Sequence, residues 1–198
     1  MKSGPDHNLL YQIAEGQAGY FTARQAREAG FSAERLTNST KAGSIFRVAS
    51  GVYRLARFPG SPFEDLFVAW LRTGPHSVIS HESALAVYQL TDVLPGEIHV
   101  IIPRTASHRH KGIRLHTNRL ESGDIATREG LSLTSPARTI SDLAASGLSE
   151  DLIRQAVHEA LRRGLTTRKD LLVQTSRRGG RAAKLIQKAL ELETPRAI

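Results

Sequence analysis

The sequence predicts an α+β protein in two parts, an N-terminal part over residues 1–58 and a second part over residues 62–198. Three observations support this prediction. Short amphipathic segments and two alternating stretches come first, the Pro/Gly/Ser-rich hexapeptide RFPGSP follows, and helix-like and strand-like patterns mix after it. We therefore expect a linker at RFPGSP, then a small α+β domain with a helical tail from about residue 149.

The N-terminal part has clear start and stop signals for three helices and a hairpin. Thr22 and Ser32 stand where N-caps are expected, and Gly30 and Gly43 stand where helices end. Gly51 suits the positive φ of a hairpin turn. The predicted helices cover residues 6–16, 23–29 and 33–42, and the hairpin covers residues 45–55. Three helices followed by a hairpin are typical of a winged helix-turn-helix.

The third helix has few bulky apolar residues, and its polar side chains fall on one face. On a helical wheel, four residues share the face that we expect to point inward, namely Ala33, Leu36, Thr37 and Thr40. In a major groove, Arg pairs with guanine and Asn with adenine, so the outer Arg35 and Asn38 suit base recognition. The simpler alternative is the solvated face of a surface helix, but the preceding helix and the following hairpin favour a recognition helix.

The hairpin would then be the wing, with arginines that reach phosphates and a small-residue tip that approaches the backbone. For each of these arginines a solvated charge is the alternative. The predicted DNA-binding residues are Arg24, Arg27, Ser32, Arg35, Asn38, Ser39, Lys41, Arg47, Ser50 and Arg54.

The charge distribution also suits a polyanionic partner. The net charge is +8, residues 1–60 hold eight Lys/Arg against four Asp/Glu, and residues 161–198 hold ten against three. The third helix itself carries little of this charge, so we expect the wing and the basic tail to supply more of the DNA affinity than that helix. The chain has no cysteine. It also shows no signal peptide and no membrane-length apolar run, so we expect a cytoplasmic protein without membrane contact.

The second part reads as helices around a small sheet. Pro136 suits the first turn of a helix, and the last two helices are expected to break at Gly179 and Gly180. The predicted strands cover residues 97–103, 112–118 and a short stretch near 131–134, and the predicted helices begin near residues 63, 80, 136, 149 and 167.

Chemistry-bearing residues in the second part form no recognised catalytic motif. Four histidines, His99, His108, His110 and His116, lie close in sequence, but no carboxylate completes a metal-ligand spacing. Asp142 follows Arg138 by four, which indicates a helical ion pair. The HES stretch at residues 81–83 favours a helix start over a nucleophile. We therefore expect no metal, no cofactor and no catalytic residues.

Three stretches, taken in order, resemble the AbiEi-type antitoxins of bacterial toxin–antitoxin systems, mycobacterial-type relatives in particular. They run from YFTARQ to GVYRL, from ISHESAL to HVIIP and over GLSLTSPARTISDLA, and their most specific pieces are the wing ending GVYRL, the helix start SHESAL and the strand-to-helix stretch TSPARTISDLA. The resemblance implies a winged-helix domain that binds inverted repeats in its own promoter as an autorepressor, with residues 32–42 as the recognition helix and residues 45–55 as the wing. It also implies a second domain that neutralises a cognate nucleotidyltransferase-like toxin.

Two other functions stay open on the sequence alone. One is an enzyme-type antitoxin that covalently modifies its toxin, and the other is a stand-alone regulator whose second domain senses a ligand.

Overall fold

The computed structural model describes residues 4–103 and 111–192, which form two compact units. The first unit ends at Ser77 and also includes Thr127–Leu131, and the second comprises Val78–Ala126 and the chain from Ser132 onward. The mixed α+β class predicted from the sequence is confirmed. His108 and His110 lie outside the described residues.

The first unit has the winged-helix arrangement that the sequence predicts, with a third strand added. Strand β1 (Tyr20–Thr22) pairs antiparallel with β3 (Val52–Leu55), and β3 pairs antiparallel with β2 (Ile45–Ala49), so the predicted hairpin supplies two of the three strands of a small sheet. Strand β1 has only three residues, too few for its alternation to be recognised in the sequence. In chain order the elements are α1 His7–Glu15, β1 Tyr20–Thr22, α2 Ala23–Glu28, α3 Ala33–Lys41, β2 Ile45–Ala49, β3 Val52–Leu55 and α4 Glu64–Thr73.

The core of the first unit joins the three N-terminal helices to the hairpin. Leu10 from α1, Phe31 before α3 and Ile45 from β2 are among the buried side chains of one apolar cluster. Burial of such side chains contributes about 1.5–3 kcal/mol each. Since α2 and α3 are short, this shared core holds them more than their own helix propensity does.

Helix α4 belongs to the first unit, although the sequence places it after the linker. Phe67 stacks on Tyr20 with 4.6 Å between ring centroids. The Tyr20 hydroxyl donates to Glu64 Oε2 at 2.9 Å and accepts from Ser61 N at 3.2 Å, so the RFPGSP segment is fastened at its end. The structural division therefore lies near Ser77, and a functional boundary at residues 58–62 stays a prediction.

Most residues of a five-stranded sheet lie in the second unit, and its strand order is β6 (Ile113–His116), β5 (Ile98–Ile101), β4 (Val78–Ile79), β8 (Leu131–Thr134) and β7 (Ile125–Arg128). Strands β5 and β6 run parallel, and β4 pairs antiparallel with β5 and parallel with β8. The sequence missed β4 and β7, because two residues and a weak alternation give no strand signal. In chain order the elements from Val78 onward are β4 Val78–Ile79, α5 His81–Tyr88, β5 Ile98–Ile101, β6 Ile113–His116, β7 Ile125–Arg128, β8 Leu131–Thr134, α6 Pro136–Ser146, α7 Glu150–Arg162, α8 Arg168–Arg178 and α9 Gly180–Leu192.

A buried ionic network ties α6 to its neighbours in the second unit. Arg138 donates through Nε to both carboxylate oxygens of Asp142 at 3.0 Å, which confirms the predicted i, i+4 pair. Its Nη1 donates to Asp124 Oδ2 at 2.9 Å, and Gln174 of α8 donates to Asp124 Oδ1 at 2.8 Å. Arg178 of α8 also pairs with Asp142. Because Asp142 is fully buried, these partners are required to offset its desolvation.

In residues 4–103 and 111–192, no helix has both the length and the apolar character of a membrane span.

Candidate nucleic-acid interface and a histidine cluster

Helix α3 is anchored by a single buried side chain, Leu36, which is 3% exposed. Ser32 caps the helix, since its Oγ accepts from Arg35 N at 3.2 Å. The predicted inward face is only partly right. Ala33 and Thr37 are exposed and Thr40 is half-buried. Of the residues of α3, only Leu36 is buried in the apolar cluster of the first unit.

The outer face of α3 presents free donors, as the sequence predicts. Arg35, Asn38 and Lys41 are exposed, and no described residue makes a hydrogen bond or ion pair with their side chains. By contrast, the Thr37 hydroxyl donates to Ala33 O at 2.9 Å. Ser39 is half-buried, and its carbonyl accepts from Ser44 N at 3.1 Å. The side chains open to a ligand on this helix are therefore those best suited to bases and phosphates.

The two arginines of α2 differ in their surroundings. Arg24 pairs with Glu28 at 3.7 Å, and both side chains are more than half exposed, so this pair adds little stability. Arg27 is exposed, and the described residues offer it no carboxylate partner. Of the two, Arg27 has the charge available for a phosphate.

The wing is open at its tip. Gly51 has φ of 74°, and a Cβ built on it would meet no atom within 4 Å. Ser50 and Arg47 are exposed, and the strand register shifts between Arg47 and Ala49. Such a bulge increases local twist and re-aims the side chains beside it. The tip therefore has room for close approach of a nucleic-acid backbone.

Arg54 is held inside the first unit, unlike the other cations predicted to bind DNA. Its guanidinium lies 5.1 Å from the Phe46 ring centroid and 6.0 Å from that of Tyr20. Its Nη1 donates to the carbonyl of Phe58, and its side chain is 14% exposed. A structural role thus competes with the predicted phosphate contact, which stays a prediction.

In the second unit, three histidines from different secondary-structure elements lie next to one another. His81 begins α5, His99 lies on β5, and His116 ends the parallel neighbour β6. The backbone sets this arrangement, because Ser80 N donates to His99 O at 3.0 Å and His99 N donates to Ser83 Oγ at 2.9 Å. The sequence had grouped His99 with His116 but not with His81, since nothing in the spacing links a helix start to two later strands.

The surroundings of the cluster keep its imidazoles neutral. Burial, followed by the neighbouring His116 and His99, lowers the pKa of His81 to about 3. Burial and then His99 lower the pKa of His116 to about 4, and burial also lowers the pKa of His99. Desolvation disfavours the charged imidazolium, so all three rings are uncharged near neutral pH.

Comparison with known proteins bears on the first unit most directly. Residues 8–56 match the family model described as "Transcriptional regulator, AbiEi antitoxin". That match confirms the resemblance to AbiEi-type antitoxins over the segment that contains α2, α3 and the wing. A search of curated proteins found no match.

One solved structure shares the fold over most of the chain. The RV2827C protein from Mycobacterium tuberculosis superposes with a TM-score of 0.54 at 14% sequence identity, covering 96% of this chain and 78% of that one. At this identity the likeness concerns the fold alone.

Proposed function

We propose that this chain, whose residues 8–56 match the AbiEi antitoxin family of transcriptional regulators, binds the promoter of its own operon and represses it. The observation that carries the proposal is the outer face of α3, where Arg35, Asn38 and Lys41 are exposed without partners among the described residues. These groups can bond to bases and phosphates, and α3 lies between α2 and the wing in the segment that matches a family of transcriptional regulators.

In this proposal the roles divide by chemistry. Arg35 and Asn38 read base edges in the major groove, while Arg27, Lys41 and Arg47 contact phosphates. Two copies on an inverted repeat place their recognition helices one helical turn apart. Protein bound at such a promoter site blocks RNA polymerase and so represses transcription of the operon.

Binding of purified protein to the upstream promoter, measured over a range of salt concentrations, tests the roles. Arg35→Ala or Asn38→Ala costs about 1–3 kcal/mol on the specific site and relaxes specificity at one position. Arg47→Ala weakens binding to all sequences and lowers the salt slope by about 1. Arg72→Ala is the matched control, since Arg72 is an exposed arginine of the same unit that lies on α4 and not on α3 or the wing.

Binding like the parent by the Arg35, Asn38 and Arg47 variants together would refute the assignment. Arg54→Ala separates the two roles of that residue. A structural role lowers the stability of the first unit and leaves the salt slope unchanged, whereas a phosphate contact lowers the slope.

We further propose that the second unit neutralises a nucleotidyltransferase-like toxin encoded beside this gene, by contact rather than by catalysis. The proposal follows from the resemblance to AbiEi-type antitoxins. Co-expression with the neighbouring gene product should give a complex that co-purifies, with the mass of that product unchanged in the presence of ATP and a metal ion. A mass shift would instead favour an enzyme-type antitoxin, and a neighbour of another class would favour a stand-alone regulator.

A further inference from the structure

We propose that His81, His99 and His116 in the second unit form a binding site for a zinc-class divalent ion, which the sequence alone did not lead us to expect. One ring nitrogen from each histidine lies within 4.8 Å of the other two. His81 and His99 are 4% and 7% exposed, and His116 is half-buried, so the cluster is enclosed but open on the His116 side.

One pair of ring nitrogens in the cluster has about the spacing of two zinc ligands. His116 Nε2 and His99 Nδ1 are 3.2 Å apart. Two imidazole nitrogens bound to tetrahedral zinc at about 2.0–2.1 Å stand about 3.4 Å from each other. An ion between them would take over from the proton that they share in the metal-free protein.

The ligand type sets the class of ion. Neutral imidazoles suit zinc, copper and nickel, whereas magnesium and calcium need oxygen ligands. Three protein ligands leave the fourth tetrahedral position open for water or a partner's side chain. The half-buried side of His116 gives access to that position.

An oxygen atom lies near one ring nitrogen of His81 and another near one ring nitrogen of His99, the first within hydrogen-bond distance and the second beyond it. Ser80 Oγ lies 3.0 Å from His81 Nδ1, and Glu82 Oε2 lies 4.0 Å from His99 Nε2. Metal-bound histidines usually donate their second nitrogen to such oxygens, which fix the tautomer and the ring orientation. This leaves His81 Nε2 and His99 Nδ1 for the ion.

The backbone at His81 is strained in a way that aims its ring into the cluster. Its φ is 49°, in the left-handed region that non-glycine residues seldom adopt. Strain of this kind persists only where the surrounding structure fixes it, and it concentrates at functional positions. Here the bonds from Ser80 N to His99 O and from His99 N to Ser83 Oγ fix it.

One rearrangement accompanies binding. The rings of His81 and His116 are stacked, with 3.8 Å between centroids and 14° between planes. The lone pairs of their ring nitrogens therefore lie in nearly parallel planes and do not point at one common position. His116 must tilt for the three lone pairs to converge. Because His116 is the least buried ring of the three, its tilt disturbs the core least.

The test is titration of the untagged, chelator-treated full chain with zinc chloride by calorimetry, and with cobalt(II) as a visible-absorption probe. We expect one zinc ion per chain, a tetrahedral cobalt spectrum and a zinc-dependent rise in the melting temperature. His99→Gln and His116→Gln should each weaken zinc binding by more than about 100-fold, a larger loss than the 10–100-fold typical of an outer partner. Glu82→Gln keeps all three imidazoles and should weaken binding by about 10–100-fold.

Two controls separate this cluster from other histidines. His76→Gln changes an exposed histidine of the first unit and should bind zinc like the parent. The double variant His108→Gln/His110→Gln changes two histidines that lie outside the described residues, and it too should bind like the parent. Absence of zinc binding by the parent, loss of binding in this double variant alone, or parental affinity in the folded His99 and His116 variants overturns the proposal.

Discussion

Replacing Leu36 by alanine tests whether one side chain holds the recognition helix on its domain. Leu36 is the sole buried residue of α3, with 3% exposure. The change removes apolar contacts worth about 0.8 kcal/mol per methylene and leaves a cavity, so the loss of unfolding free energy should be about 3 kcal/mol. In a unit of this size each kcal/mol lowers the melting temperature by about 4–8 °C.

Trp70 provides the assay for this prediction, because it is the chain's single tryptophan and lies on α4 of the first unit. Urea unfolding followed by its fluorescence should give a lower midpoint for Leu36→Ala, and promoter binding should weaken as α3 loosens. Thr37→Ala changes the next, exposed residue and should stay within about 0.5 kcal/mol of the parent. A loss below about 1 kcal/mol for Leu36→Ala would show that other contacts anchor the helix.

Three further changes probe how each unit is held together. Gly19→Ala puts a Cβ 2.4 Å from Phe58 Cβ at a φ of 92°, so urea unfolding should show at least about 1 kcal/mol more destabilisation than Gly51→Ala, whose Cβ meets nothing. Asp142→Ala removes the carboxylate that accepts from Nε of the buried Arg138 and pairs with Arg178, so it should cost about 3–5 kcal/mol in the second unit, measured by calorimetry. Burial raises the pKa of Asp124, but hydrogen bonds and the neighbouring guanidinium groups outweigh it and hold that pKa below its ordinary value. The stability from Asp124 is therefore present above about pH 4 and is lost as the pH falls through the lowered pKa, so Asp124→Asn should flatten the acid limb of a stability-versus-pH curve, and an unchanged limb would contradict the assignment.

The N-terminal unit was predictable because its signals are local. Thr22 and Ser32 do cap α2 and α3 through the bonds to Gln25 N and Arg35 N, and the helix bounds agree with the sequence within one or two residues. Capping depends on residues three apart, which a sequence displays directly. Burial along α3 was harder to predict, since it depends on how far the core extends below Ala33 and Thr37.

The histidine cluster could not be predicted from the sequence, because the contacts that form it are not local. His81 meets His99 and His116 only because β5 and β6 run parallel and the start of α5 is bonded to β5. No periodicity in the chain encodes that pairing. The same holds for α4, whose place in the first unit depends on the stacking of Phe67 on Tyr20.

Most cations of the basic tail, residues 161–198, already have partners among the described residues. Eight Lys and Arg residues lie between residues 162 and 184, and within the described residues only Lys169 and Lys184 of them have no side-chain partner. Arg162, Arg177 and Arg178 pair with carboxylates, and the remaining three donate to backbone carbonyls, namely Arg163, Arg168 and Arg181. Because these side chains already bond within the protein, the structure argues against the expectation that the tail supplies much of the DNA affinity.

The salt dependence of DNA binding decides between the tail and the first unit. If Arg27, Lys41 and Arg47 make the phosphate contacts, each bound copy contributes a slope of about −2.7 in a plot of log affinity against log salt concentration. The double variant Lys169→Ala/Lys184→Ala should then keep the parental slope, while Arg27→Ala/Arg47→Ala should lower its magnitude by about 1.8 per copy. The opposite result is a slope whose magnitude falls in the tail variant and stays parental in the first-unit variant. That result would assign the phosphate contacts to the second unit, because only cations that contact DNA release counterions.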